Sequence, residues 1–280
     1  MMKKIALVAC LTLLIGIVGI LTLRDRIFSD SSKASVNEEQ VIDASDIKQI
    51  YVEADVVDIK IEKSSDENIH VFLDGKVSEK RKDNIDFRVE EDNGELKIDL
   101  KGEKQISISF LPLQDWGSIK LTILIPEKQF DKLDLVNNVG GIIVNYGDFN
   151  TVNVESDVGD VKLQEIISKS ASVTSSVGDT SIRQAQGEWD IKSDVGEVDL
   201  QLKEWEQDIT IVSDIGDIEV QVAKKTADYT LDLDSDIGDV TVDGFDLNRD
   251  GGKEVYLQSG SGEPLLKVSS DMGDIEVSTP

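Results

Sequence analysis

A six-residue phrase recurs along the second half of the chain, and it constrains the fold more than any other feature. It reads Ser156-Asp157-Val158-Gly159-Asp160-Val161, Ser175-Ser176-Val177-Gly178-Asp179-Thr180 and Ser193-Asp194-Val195-Gly196-Glu197-Val198. It returns as Ser213-Asp214-Ile215-Gly216-Asp217-Ile218, Ser235-Asp236-Ile237-Gly238-Asp239-Val240 and Ser270-Asp271-Met272-Gly273-Asp274-Ile275, with a weaker copy from Asn137 to Ile142 around Gly140. Successive glycines lie 19, 19, 18, 20, 22 and 35 residues apart. A period near 20 residues marks a stacked architecture, in which each unit buries its apolar face only against the next.

The residues around the phrase alternate apolar and polar. In Val152-Asn153-Val154-Glu155-Ser156-Asp157-Val158, positions 152, 154, 156 and 158 face one way; after Gly159-Asp160 the inward set is Val161 and Leu163. A period-two strand cannot change parity without a bend or an extra residue. Gly140, Gly159, Gly178, Gly196, Gly216, Gly238 and Gly273 are therefore read as corners, where positive φ carries no steric cost for glycine. One strand enters each corner and one leaves.

Upstream, Ile50-Tyr51-Val52, Val57 to Ile61, Ile69 to Leu73, Leu96 to Leu100, Ile106 to Phe110 and Ile119 to Ile123 also alternate, with turns expected at Asp74-Gly75 and Asp92-Asn93-Gly94. The soluble part shows no helical period. The expected fold is all-β: a parallel β-solenoid of roughly 20-residue coils over residues 137–280, preceded by a continuous β region over 45–136. A β-sandwich of regularly spaced hairpins is the competing architecture. The 35-residue gap is read as an insertion. Asp274 to Ser278 is read as the closing strand, an edge in need of a cap.

The N-terminus suggests an address. Lys3 and Lys4 precede an uncharged, mostly apolar run from Ile5 to Leu23, closed by Arg24-Asp25-Arg26. As a helix this run spans roughly 28 Å, close to a bilayer core of about 30 Å. Residues 1–26 are read as an uncleaved transmembrane anchor and 27–44 as a flexible stalk. Cys10, within Leu7-Val8-Ala9-Cys10, resembles a lipidation site, but the apolar run continues well past it. The membrane is thus one expected partner, through residues 5–23, and the domain is expected outside the cytoplasm as a single-pass cell-membrane protein; the two lysines before the span and two arginines after it leave a cytoplasm-facing domain as the competing topology.

The net charge is −27, and with four bases and one acid before residue 27 the remainder carries −30. Such a surface repels nucleic acid and anionic head groups and favours cations or basic partners. Cys10 is the only cysteine, so disulfides and thiolate metal sites are excluded downstream.

The repeated acids fall into two columns. Asp157, Asp194, Asp214, Asp236 and Asp271 precede the glycine; Asp160, Asp179, Glu197, Asp217, Asp239 and Asp274 follow it. Turn aspartates that cap backbone N–H groups are the simpler reading. The sharper one is a Ca²⁺ site built from Asp157, Asp160, Asp194, Asp214, Asp217, Asp236 and Asp239, since stacked carboxylates suit a hard cation. The serine column, with Asn137 at its head, is expected to lie inward and bond between coils.

His70, the only histidine, sits far from these serines on an expected surface strand, which argues against nucleophilic catalysis. Neither a phosphate-cradling loop nor a dinucleotide fingerprint is present. Two carboxylates on a β-helix can cleave glycans, but identical acids in every copy give no symmetry-breaking cluster. Trp189 and Trp205 are read as coil-edge cover or, alternatively, as a sugar-stacking pair, with Trp116 further upstream.

The repeated phrase, preceded by Ile119 to Pro126 and Leu133-Asp134-Leu135, resembles the bacterial "putative adhesin" domain family, which includes LiaG-like membrane-anchored envelope proteins. The resemblance spans residues 45–280, and the apolar N-terminus fits the LiaG-like members. It implies a β-solenoid at the cell envelope, associated with envelope-stress systems; no catalytic residue is carried over from it, and no cofactor is expected beyond the Ca²⁺ reading above. The expected function is binding or scaffolding, with a cell-wall or envelope protein as partner. A stress-response accessory or sensor and a carbohydrate-active enzyme are the alternatives.

Overall fold

The computed structural model describes residues 33–78, 85–102, 118–224, 226–245 and 252–279. All regular elements among them are strands. In chain order these are β1 (Lys33–Asp43), β2 (Gln49–Val56), β3 (Asp58–Lys63), β4 (Asn68–Ser78), β5 (Ile85–Asp92), β6 (Glu95–Gly102) and β7 (Ser118–Ile125). The repeats supply β8 (Gln129–Val139), β9 (Ile142–Val144), β10 (Gly147–Val158), β11 (Val161–Gln164), β12 (Ile166–Val177), β13 (Thr180–Val195) and β14 (Val198–Leu202). β15 (Ile209–Ile215), β16 (Ile218–Val222), β17 (Tyr229–Ile237), β18 (Val240–Asp243), β19 (Glu254–Ser259), β20 (Leu265–Met272) and β21 (Ile275–Ser278) follow.

The chain runs back and forth between two faces. Strands entering a glycine corner form one face and strands leaving it form the other. On the entering face β10 pairs parallel with β8 and β12, and β12 pairs parallel with β13. On the leaving face β11 pairs parallel with β9 and β13. The 16-residue β13 serves both faces, bending near Gln184 (φ 54°) and Gly187 (φ 117°). Equivalent aliphatic residues therefore lie side by side: Val154 pairs with Leu135 and Val173, and Ile191 with Val173 and Ile211. These residues are buried in one continuous apolar core between the faces. Burial of such side chains contributes about 1.5–3 kcal/mol each.

The order of the stack departs from the order of the chain at both ends. β2 and β3 pair parallel with β8 and β9 on one side and with β6 and β7 on the other. At the far end β20 lies between β15 and β17, and β21 between β16 and β18. Asp274 to Ser278 is thus an interior strand, contrary to its expected place at the open edge. The 35-residue gap contains β19, which pairs antiparallel with β17 and covers that end of the entering face. At the other end β5 covers β6, while β4 covers β7 and is itself covered by β1, all antiparallel.

Three local expectations change. Residues 33–43, placed in a stalk, form β1, whose Ile42 is buried in the core; the polar run alternates well enough to pair along β4. Asp74-Gly75 continues β4, whereas Asn93-Gly94 (φ 51° and 83°) does turn β5 into β6. Val158 is exposed rather than inward: the ladder skips Asp157 between the pairs Ser156–Ser175 and Val158–Val177, and the chain swings outward one residue before the glycine. The expected span at residues 5–23 lies outside the described residues, as do the expected strand at 106–110 and Trp116. No helix of the described residues is long and apolar enough to cross a membrane.

Candidate functional site

The corner phrase is the feature repeated most often, and its geometry explains each of its letters. Gly140, Gly159, Gly178, Gly196, Gly216 and Gly273 have φ between 126° and 154°, a region that disfavours any Cβ. Each also presses on the coil beneath. A Cβ on Gly159 would fall 2.2 Å from the Gly140 carbonyl oxygen, and one on Gly216 would fall 2.0 Å from that of Gly196. Gly238, without that unusual φ, is equally tight against Gly273 at 2.1 Å.

The parallel ladder runs through the corner on two bonds. Gly159 N–H donates to Val177 O, and Val161 N–H donates to Asp179 O, both at 2.9 Å. Between them the ladder bypasses the N–H of the acid and the C=O of the glycine. The acid column supplies the first partner. Asp160 Oδ1 accepts from Asp179 N–H (3.3 Å), Asp179 Oδ1 from Glu197 N–H (3.0 Å), Asp217 Oδ1 from Asp274 N–H (2.8 Å) and Asp274 Oδ1 from Asp239 N–H (2.8 Å). Asp58 does the same for Gly141 N–H at 3.0 Å.

The inward serine column supplies the second partner. Ser156 Oγ donates to Gly159 O (3.3 Å) and Ser235 Oγ to Gly273 O (2.8 Å). Asn137 Nδ2 spans two coils, donating to Val57 O (3.0 Å) and Gly140 O (2.9 Å). Ser175, Ser193, Ser213 and Ser270 are buried in the same column, but their hydroxyls lack a partner within bonding geometry among the described residues.

These contacts match the capping reading of the repeated acids. Asp160, Asp217 and Asp239 stand in the column turned toward backbone amides, while Asp157, Asp194, Asp214 and Asp236 are exposed. Among the described residues, no group of three or more His, Cys, Asp or Glu side chains is placed to hold a metal ion.

Trp189 and Trp205 are each 1% exposed, so neither offers a face to a sugar. Trp205 packs on Tyr229, which packs edge-on against Phe245. His70 is half-buried on β4, bonded to Asp66 at 3.0 Å and stacked on Phe72. A surface groove of about 310 Å³ is lined by Gln184, Gln201, Leu202, Lys203, Gln221 and Ala223, with no carboxylate among them.

One feature was hidden from sequence reasoning. The residue before each glycine, expected inside, stands in solvent. Val139, Val158, Val177, Val195, Ile215, Met272 and Ile237 are 38–62% exposed and follow one another in register down the stack. In sequence an exposed acid immediately precedes most of them, and another stands two residues on. Of the carboxylates in these two columns, only that of Asp160 forms an ion pair among the described residues, with Lys162 at 3.6 Å; at the far end the Lys253 ammonium bonds the Asp236 backbone carbonyl. The sequence carries no signal of it, because Asp157 and Val158 continue the alternation that the structure breaks at Val158.

A family model described as Toastrack DUF4097 matches residues 47–278. The chain belongs to the Toastrack DUF4097 family. The match takes in β2 to β21 and every glycine corner of this Toastrack chain. Similar solved structures include a "putative adhesin" from Bacteroides fragilis, at 15% identity and TM-score 0.48, covering 89% of this chain and 99% of that one. A "putative cell adhesion protein" from Clostridium sporogenes is 12% identical with TM-score 0.41, covering 88% and 100%. A "putative lipid binding protein" from Parabacteroides distasonis is 16% identical with TM-score 0.27, covering 87% and 96%. No protein of curated function matches the chain.

Proposed function

We propose that this Toastrack protein is a non-catalytic binding or scaffolding module of the bacterial cell envelope. In this reading it is a parallel β-solenoid, held outside the cytoplasm by a single N-terminal span at residues 5–23. One observation carries the reading. The residues that recur most, and that would otherwise supply chemistry, bond to the backbone of the neighbouring coil: the Asp160–Asp179 contact recurs at Asp217–Asp274 and Asp274–Asp239. A rigid stack built this way presents long regular faces, which suit recognition more than turnover.

The test is a pull-down with the full-length protein against purified cell-wall material and, separately, against solubilised membrane proteins. Saturable capture of a defined component supports the proposal. Capture of a membrane signalling protein would favour the stress-accessory form of it. Turnover on a glycan panel, abolished by substitution of a single carboxylate, would replace it with the carbohydrate-active reading.

A further inference from the structure

We propose that the exposed aliphatic row from Val139 to Ile237, with its bordering carboxylates, is the docking surface for a basic amphipathic helix of another polypeptide. This deepens the binding reading above and rests on it. Solvated valines, isoleucines and a methionine in one unbroken line are an unusual surface for a soluble face. Here the line has a fixed pitch, because the pairings Val158–Val177, Val195–Ile215 and Ile215–Met272 hold the side chains in register.

The charge pattern selects the occupant. Carboxylates border the row, with Asp194 before Val195 and Asp217 after Ile215, both exposed. A second copy of this chain laid row to row would oppose like charges, and an anionic lipid surface would be repelled in the same way. A partner with its own apolar stripe edged by Lys or Arg satisfies both elements.

The spacing selects its conformation. The six steps from Val139 to Ile237 cover about 29 Å at roughly 4.8 Å per step. A helix offers one apolar position per turn at about 5.4 Å and drifts by less than one step over that length. An extended strand offers one every 6.7 Å or so and falls out of register within a few residues. A helix of about 19 residues spans the row.

The test uses the full-length chain in nanodiscs of neutral phosphatidylcholine, with empty nanodiscs subtracted. The probe is a synthetic helix of about 20 residues bearing a leucine stripe bordered by lysines. The comparison helix carries glutamine in place of lysine. Two triple variants, Val177→Ser with Val195→Ser and Ile215→Ser, and Asp194→Asn with Asp214→Asn and Asp236→Asn, alter exposed positions only, and unchanged melting certifies their fold. We expect saturable binding of the lysine helix, weakened at least about tenfold in each variant. The salt dependence should be shallower in the asparagine variant. No binding, equal binding of the glutamine helix, or binding indifferent to the serine variant would each overturn the proposal. So would a dimer of the native chain that the serine variant dissolves. If the probe fails while cell-wall capture persists, the docking row falls and the wider binding role stands; glycan turnover would remove that role itself.

Discussion

Gly178 lies directly against Gly159: a Cβ built on Gly178 would fall 2.4 Å from the Gly159 carbonyl oxygen, at a φ of 140°. Backbone on both sides leaves nothing flexible to yield. Gly178→Ala should therefore destabilise the domain by more than about 3 kcal/mol, combining strain with displaced ladder bonds. Urea unfolding measures this. A loss under about 1 kcal/mol would mean that the corner can open without harm.

The acid column makes a finer prediction. Asp179 accepts the N–H of Glu197, but no bond from Asp217 N–H to the Glu197 carboxylate is present among the described residues. Glutamate is one methylene longer than the aspartate found in the other bonded corners. Glu197→Asp should restore that contact and stabilise the chain by about 0.5–1.5 kcal/mol, whereas Asp179→Ala should destabilise it by a similar amount. Thermal melting of both variants side by side checks the signs. Equal destabilisation by both would dismiss the column as a source of stability.

The inserted position of β20 and β21 predicts how the far end fails. Because β20 bridges β15 and β17, a chain stopped after Glu263 should lose order from β17 onward. Limited proteolysis of that truncation should cut between Ala223 and Gly244 while sparing β8 to β14. Full protection of β17 and β18 would show that they can dock on β15 and β16 unaided.

Acid should weaken the N-terminal part of the stack. Glu53 is held below its ordinary value of 4.5 by its hydrogen bond from Lys101 and then by that lysine's charge. Glu62 is lowered in the same way by Lys60. Both folded values lie below the unfolded ones, so the pairs stabilise fully above that pH and lose their contribution as pH falls through the lowered values. Melting temperature should stay level from about pH 7 to 5 and decline below about 4.5. A rise on acidification instead would mean that relieved repulsion among the corner carboxylates dominates.

The corner was legible in the sequence because two physical demands coincide there. Only glycine fits the bend, and only a short acceptor beside it reaches the next coil's N–H. Parity alone placed the serines inward, where they are. The same parity failed at Val158, since alternation continues on paper past Asp157, the residue that the ladder skips. Stack order was not legible either. β21 carries the same phrase as β18, and equivalent coils offer nearly equal surfaces, so local pattern cannot rank them. What decides is the connection: the segment holding β19 covers the outer side of β17, which leaves the inner slot to β20. The polar run before Asp43 reads as linker by composition, yet β4 needed a partner along its free edge.

The slot filled by β20 and β21 also bears on biosynthesis. Emerging from the ribosome, β17 and β18 precede the coil that must lie between them and β15 and β16. Either they wait undocked, or they settle first on the wrong neighbour and are then displaced. The native arrangement at this end would thus serve as a molecular proof that the chain had been made through Ser278.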